Sequence, residues 1–280
     1  MPELPEVETI KRELDRKIAD KKIAGVILES SFEKKVSPAG VKFVVFLVGK
    51  RIKKISRRAK LLIFDLNAGQ FLLIHLKLTG QLVYVSKAER PVSKLPNKFT
   101  RVTFCLSGGD YLFFNDLRKF GYMKFVDAVG LEAELKKYGI EPFDKNFSFD
   151  AFVQIIERRK NRTIKNVLID QTLIAGIGNI YSDEICFCAG VRPTRLVRTL
   201  LDVGRKRIFS QIRKILSAAI KHQGSSVDDY VKSDGQQGSY QKMLKVYCRV
   251  GEVCRKCKKS KIVRVKINGR SSCYCPNCQK

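Results

Sequence analysis

Four cysteines near the end of the chain leave it the least freedom. Cys254 and Cys257 are spaced as C-x2-C, as are Cys275 and Cys278, and 17 residues lie between the two pairs. Two tight turns that each offer two thiolates can close a tetrahedron around one zinc ion. Four thiolates leave no open coordination position, so the ion is expected to be structural. Between the pairs, residues 262–267 and the turn Asn268-Gly269 read as a β-hairpin. Residues 243–280 hold eleven Lys or Arg against Glu252 alone, which makes this a strongly basic zinc ribbon.

The basic character extends over the whole chain. It has 280 residues, enough for about two domains, with 55 Lys and Arg against 27 acidic residues and a net charge of +28. Such an excess points to a polyanionic partner, most often nucleic acid, with a membrane surface as the competitor. No apolar run reaches the ~18 residues of a membrane span, and the N-terminus is not a signal peptide. We therefore expect a reducing cytoplasm, where nine cysteines do not form a disulfide framework. Cys105, Cys186 and Cys188 sit in apolar stretches, so buried structural cysteine is their default. Cys248 and Cys273 lie near the ribbon but off the paired spacing.

The first 130 residues read mainly as strands. Residues 25–29, 41–48, 60–66, 71–78, 81–85, 101–106, 111–114 and 122–126 are β-branched, aromatic or leucine-rich, with turn signals between them. Short antiparallel strands at this spacing suggest a β-sandwich. The basic runs 51–54 and 57–60 interrupt them and read as solvated faces. Residues 149–222 read as helices, the last one, 201–222, long and basic. Between two of them, Gly176 and Gly178 allow a tight turn and an exposed helix N-terminus whose amides can hold a phosphate. A plain helix–helix turn explains the same glycines. Residues 224–241 form a polar loop, either a lid or a linker. The expected division is 1–130, a linker at 131–148, a helical domain at 149–241 and the ribbon at 242–280.

The N-terminus places chemistry-bearing groups side by side. Removal of Met1 would leave Pro2 as a secondary amine, titrating near ~8 like other α-amino groups. Such an amine attacks an electrophilic carbon and forms a charged iminium, an electron sink. Glu3 beside it can give or take a proton. Pro5 suits the first position of a helix, Glu6 and Glu8 favour its positive end, and Val7, Ile10, Leu14 and Ile18 form one apolar stripe. An ordinary capped helix start shows the same residues, and on these residues alone it is the default.

Taken together, four motifs in order resemble the bacterial formamidopyrimidine-DNA glycosylases over the whole length. They are PELPEVE at 2–8, NDLRKFG at 115–121, DQTLIAGIGNIYSDE at 170–184, and the ribbon with Asn268-Gly269-Arg270. The resemblance implies an α+β chain: an N-terminal β-sandwich flanked by helices, a helix-two-turn-helix domain and a four-cysteine zinc finger. It implies a bifunctional glycosylase and AP lyase for oxidised purines, binding duplex DNA as a monomer with one structural zinc. A base inside a duplex is out of reach, so the nucleotide must be flipped out. By resemblance, Pro2 attacks C1′, Glu3 is the general acid, Lys60 the proton donor in β-elimination and Arg270 acts in δ-elimination. Leu78, Arg118 and Phe120 would fill the gap left by the flipped nucleotide. From the residues alone, Leu78 and Phe120 would be core, Lys60 a surface lysine and Arg270 a solvated hairpin tip. Lys160 and Asn179 match phosphate-binding positions, His75 is a contact or a structural histidine, and 225–240 matches a mobile cap over the everted base.

The chain also departs from the pattern. Leu78 replaces a usual methionine, Leu117 a common proline and Cys248 a common glycine. Phe99 stands where many members have a DNA-contacting histidine, and Arg101 is the candidate to replace that contact. The related endonuclease VIII-like enzymes, which act on oxidised pyrimidines, usually begin Pro-Glu-Gly-Pro-Glu, and Leu4 argues against them. A zinc-ribbon DNA-binding protein without activity is the alternative of a different class. Retained Met1 would favour it, because a blocked Pro2 cannot be a nucleophile.

Overall fold

The structure, a computed structural model, describes every residue except Val92. Its contacts divide the chain into two compact units, Met1–Lys136 with His222–Ser239, and Lys137–Lys221 with Tyr240–Lys280. Among the described residues no helix is long and apolar enough to cross a membrane.

The first unit begins with helix α1 (Leu4–Ile18), one residue earlier than Pro5 suggests. Its stripe behaves as the periodicity predicts: Val7, Ile10, Leu14 and Ile18 are fully buried. Strands β1 (Ile23–Leu28) and β2 (Val36–Ser37) follow, then helix α2 (Val41–Leu47). Seven strands come next: β3 (Lys54–Arg58), β4 (Leu61–Asp65), β5 (Gln70–His75), β6 (Gly80–Val85), β7 (Thr100–Leu106), β8 (Tyr111–Asp116) and β9 (Tyr122–Asp127). They form two sheets, β1-β7-β8-β6 and β2-β9-β5-β4-β3. One apolar core draws on both sheets and on α1, including Leu14, Ile55, Phe64, Leu82, Phe104 and Phe114. This is the expected sandwich.

Two stretches differ from the sequence reading. Residues 41–48 were expected to be a strand because they are β-branched and aromatic, yet 41–47 is helical. Phe43 and Leu47, four residues apart, are fully buried, whereas Val41 and Val45 are 76% and 64% exposed. One helical face therefore joins the core, and that burial outweighs the weak intrinsic preference of valine. The second basic run, 57–60, is not a solvated interruption: Arg57 and Arg58 end strand β3, and Ala59 and the buried Lys60 form the turn after it. Ile55 points into the core, and Arg57 Nε pairs with Glu8 Oε2 of α1 at 2.9 Å. Helix α3 (Ala128–Leu135), capped by Asp127, ends this part of the unit.

The returning segment 222–239 packs on the sandwich. Its ends are tied by Ser239 N donating to His222 O. Glu6 Oε1 accepts Ser225 N at 2.8 Å, and Glu13 Oε2 accepts both Ser233 N and Ser233 Oγ. Tyr230 joins the core.

The second unit carries helices α4 (Phe149–Glu157), α5 (Ile164–Leu168), α6 (Asn179–Ala189) and α7 (Asp202–Lys221), close to the expected positions. Phe147, Phe149 and Phe152 pack around Phe209 of α7 in tilted and edge-on arrangements. The unit ends in the antiparallel hairpin β10 (Val263–Ile267) and β11 (Arg270–Tyr274). Asn268 and Gly269 both have positive φ (47° and 76°), the geometry of a two-residue hairpin turn.

Candidate functional site

In the first unit, Pro2 is buried and Glu3, the residue before α1, is only 1% exposed. The Glu3 amide donates to Glu6 Oε2 at 2.8 Å, a capping interaction that fixes the direction of the chain at the helix start. Glu6 thus holds the N-terminal pair with one oxygen and the segment at Ser225 with the other. The terminal amine of Met1 lies 3.6 Å from Asp228. These contacts tie down an end that would otherwise be expected to fray.

Lys60 sits in the two-residue turn between β3 and β4. It is 4% exposed, so it is not a surface lysine. Ala59 before it has φ 54°, and its carbonyl accepts Arg57 Nη1 at 2.9 Å, which pins the turn. His75 lies opposite Leu61 in the β4–β5 register. Burial first, then the charges of Lys77 and Lys60, push its pKa down to about 3. Neutral His75 accepts Lys77 N at Nδ1, 3.0 Å away, and packs against the Tyr122 ring. Its ring therefore serves the fold around Lys60 and the 76–80 turn.

Arg118 and Phe120 are exposed, and the Arg118 guanidinium lies 5.0 Å from the Phe120 ring centre. Leu78 is half-buried. Phe120, at 45% exposure, is not core. One fully buried carboxylate organises all three positions. Asp116 Oδ1 accepts from Thr79 Oγ1 and, at 3.2 Å, from Arg118 N. Asp116 Oδ2 accepts Gly121 N at 2.7 Å. A Cβ on Gly121 would lie 2.6 Å from Phe114 Cζ and 3.0 Å from Asp116 Oδ2, so only glycine lets the turn close onto the carboxylate. Sequence reasoning missed Asp116 and Thr79, and gave Glu6 only a place in the first helical turn. Asp116 lies inside NDLRKFG, but nothing local says where its oxygens point.

Arg101 is not a free cation. It is 7% exposed, donates to Asp116 O at 2.9 Å and pairs with Glu29 Oε2 at 2.7 Å. It cannot stand in for a DNA-contacting histidine at Phe99, because its guanidinium is spent on the fold.

In the second unit, Asn179 is the first residue of α6. Its Oδ1 is buried with no hydrogen-bond partner among the described residues. Gly178 before it is extended, and Gly176 has φ 101°. Gln171 pins this turn by accepting Gly176 N and donating to the carbonyls of Ile169 and Ile177. Lys160, just after α4, is exposed. Arg270 opens β11 opposite Ile267 and is exposed.

The Sγ atoms of Cys254, Cys257, Cys275 and Cys278 lie within 4.8 Å of one another. Cys254–Cys278 and Cys257–Cys275 are each 3.8 Å apart. A tetrahedron with Zn–S bonds of ~2.3 Å has edges of ~3.8 Å, so the four sulfurs fit zinc. The amides of Lys259 and Ser260 pull the Cys257 thiol down to about 6, whereas burial pushes the thiols of Cys275 and Cys278 up, so these three do not ionise alike without an ion. Cys278 N donates to Cys275 Sγ at 3.4 Å.

The chain thus joins a sandwich unit, a unit with a glycine-turn helix and a four-thiolate ribbon, the set of parts by which family models match zinc-finger DNA glycosylases. Three family models match the chain: the formamidopyrimidine-DNA glycosylase N-terminal domain over residues 1–123, the H2TH domain of the same enzymes over 138–231, and the zinc finger found in FPG and IleRS over 251–280. The chain is 41% identical to the formamidopyrimidine-DNA glycosylase of Pelotomaculum thermopropionicum, covering all of this chain and 99% of that one. It is 40% identical to that of Listeria monocytogenes, with full coverage of both. A crystal structure of Lactococcus lactis Fpg with DNA containing an abasic site is similar at TM-score 0.89 and 32% identity, covering 99% of each chain. A complex of a mutant of that enzyme with DNA containing Fapy-dG reaches 0.90 at 33% identity, covering all of both chains. The chain belongs to the formamidopyrimidine-DNA glycosylase family and is a DNA glycosylase of base excision repair with one structural zinc site.

Proposed function

We propose that the chain is a bifunctional glycosylase and AP lyase that removes oxidised purines, chiefly 8-oxoguanine and formamidopyrimidines, from duplex DNA. The observation that carries this reading is the buried Pro2-Glu3 pair held at the start of α1 by Glu6. Once Met1 is removed, the Pro2 amine attacks C1′ of an everted nucleotide. The C1′–base bond breaks, its electrons leave with the base, and the base takes up the proton that the Pro2 nitrogen gives up. Glu3 delivers a proton to the sugar as the ring opens, and the nitrogen and C1′ become an iminium. That electron sink acidifies the C2′ hydrogens. Loss of one expels the 3′ phosphate by β-elimination, with Lys60 as proton donor. A second elimination, assisted by Arg270, expels the 5′ phosphate, and water then releases Pro2.

The remaining residues bind. Leu78, Arg118 and Phe120 fill the vacated stack, and Lys160 and Asn179 take phosphates. The buried, unpartnered Asn179 Oδ1 belongs to an amide whose other end is a donor, and it lies at a helix N-terminus where anions are favoured. Both uses of segment 225–240 are compatible with its packing on α1, and a cap over the everted base is the one we adopt. The working partner is duplex DNA with oxidised bases or abasic sites, bound by a monomer.

The experiment is a comparison of wild type with Glu3→Gln on 8-oxoguanine and preformed abasic duplexes, with borohydride trapping. General acids contribute about 10²- to 10⁴-fold, so Glu3→Gln should lose that much excision. It should keep substantial nicking of abasic DNA, where an open aldehyde already exists. The trapped peptide should carry the bond at Pro2 nitrogen. A cross-link mapped to Lys60, or normal excision by Glu3→Gln, would overturn the assignment.

A further inference from the structure

The proposed chemistry leaves one fully buried ion pair unused. Lys165 of α5 and Asp183 of α6 are both 0% exposed, with Nζ 2.6 Å from Oδ1. Lys165 Nζ also donates to Ser271 O at 3.1 Å. Asp183 Oδ1 accepts Ser272 Oγ at 2.5 Å, and its Oδ2 accepts Cys273 N at 2.8 Å. The three groups caught on β11 therefore belong to the three residues directly after Arg270.

A buried pair is poor evidence of stability, since apolar residues of similar volume often serve as well. What apolar packing cannot supply is direction. Here charge-assisted bonds reach β11 through a carbonyl, a hydroxyl and an amide, so the strand can neither slide nor roll against α6. A two-stranded hairpin is marginal by itself, and the zinc thiolates hold only its far end. Glu184, the next residue of α6, holds the segment leading into the ribbon by accepting the amides of Lys245, Val246 and Tyr247. Asn179 lies four residues before Asp183 on the same helix, about 6 Å along its axis. Helix α6 is thus a ruler between Asn179 and Arg270.

We propose that Lys165 is a positioning residue that, through Asp183 and the 271–273 backbone, sets where Arg270 stands relative to Asn179. This rests on the reading of Arg270 as the group that assists δ-elimination. A side chain displaced by about 1 Å loses on the order of 10²-fold in a step it assists. The two eliminations should then separate: the second slows and the first does not.

The test uses full-length, zinc-loaded Lys165→Met, Ser272→Ala and Arg270→Ala on an abasic duplex. The readouts are the ratio of β- to β,δ-elimination ends, borohydride trapping and zinc content. Lys165→Met should keep its zinc and trap at a rate near wild type, while the β,δ fraction forms about 10- to 100-fold more slowly. Ser272→Ala removes one bond to Asp183 and keeps the ion pair, so it should show a smaller shift of about fivefold, and it decides the matter if Lys165→Met does not fold. An unchanged product ratio in the folded variants, with Arg270→Ala altered, would overturn the positioning role. So would equal slowing of trapping and both eliminations, which is what simple loss of structure produces. An unchanged ratio in Arg270→Ala would instead overturn the reading of Arg270 on which the inference stands.

Discussion

Replacing Asp116 with Asn tests whether one carboxylate organises the base-replacing side chains. Asp116 is an acceptor at both oxygens, toward Thr79 Oγ1 and Arg118 N on one side and Gly121 N on the other. Asparagine has one carbonyl oxygen and one NH2. If the oxygen serves Gly121, the NH2 faces Arg118 N and the Thr79 hydroxyl must reverse. If it serves Thr79 and Arg118, the buried Gly121 N–H faces another donor. Hydrogen bonds to charged groups contribute about 1.5–3 kcal/mol and an orphaned buried donor costs about 1–3 kcal/mol, so the change should cost roughly 2–4 kcal/mol. For a unit of this size that lowers the melting temperature by about 5–15 °C. Binding should respond selectively. At least two side chains, Arg118 and Phe120, must be ordered again on association at about 0.5–1.5 kcal/mol each. Affinity for an abasic-site duplex should then fall about five- to a hundredfold. Affinity for an undamaged duplex, carried by phosphate contacts, should barely move. Fluorescence anisotropy with both duplexes, beside thermal melts, measures this. Equal weakening on the two duplexes, or an unchanged melting temperature, would refute the reasoning.

Three further outcomes are expected. Chelation of zinc should unfold the ribbon, because metal binding and folding are coupled in such units, and abolish DNA binding while most circular dichroism persists; full affinity in metal-free protein would contradict it. His75, held neutral with its pKa pushed to about 3, binds its proton less readily folded than unfolded. Its stabilising contribution is therefore complete above the unfolded value near ~6.5 and is lost as pH falls toward about 3, roughly 2 kcal/mol between about pH 6.5 and 5. Urea midpoints across that window should drop less in His75→Gln than in wild type; parallel drops would exclude His75 as the source. Lys160→Ala should lower the slope of log affinity against log salt by about one if Lys160 neutralises a phosphate, and an unchanged slope would return it to the solvated surface.

Some of this protein was determined by the sequence alone. The zinc ribbon follows from two C-x2-C pairs, and its hairpin turn from Asn268-Gly269, because turn geometry and thiolate spacing are local. Helix α1 follows from four apolar residues at helical spacing, and most sandwich strands from short apolar runs between turn residues. The tertiary structure decided the rest. Residues 41–47 became a helix because Phe43 and Leu47 could both enter a core assembled from distant strands. Arg101, a candidate DNA contact by position, was taken by Glu29, 72 residues away. Asp116 became the hub of two turns, and Lys165 and Asp183 were brought together with β11, only when chain segments up to 106 residues apart met. A buried charge must find partners wherever the fold delivers them, and no local pattern encodes which distant groups those will be.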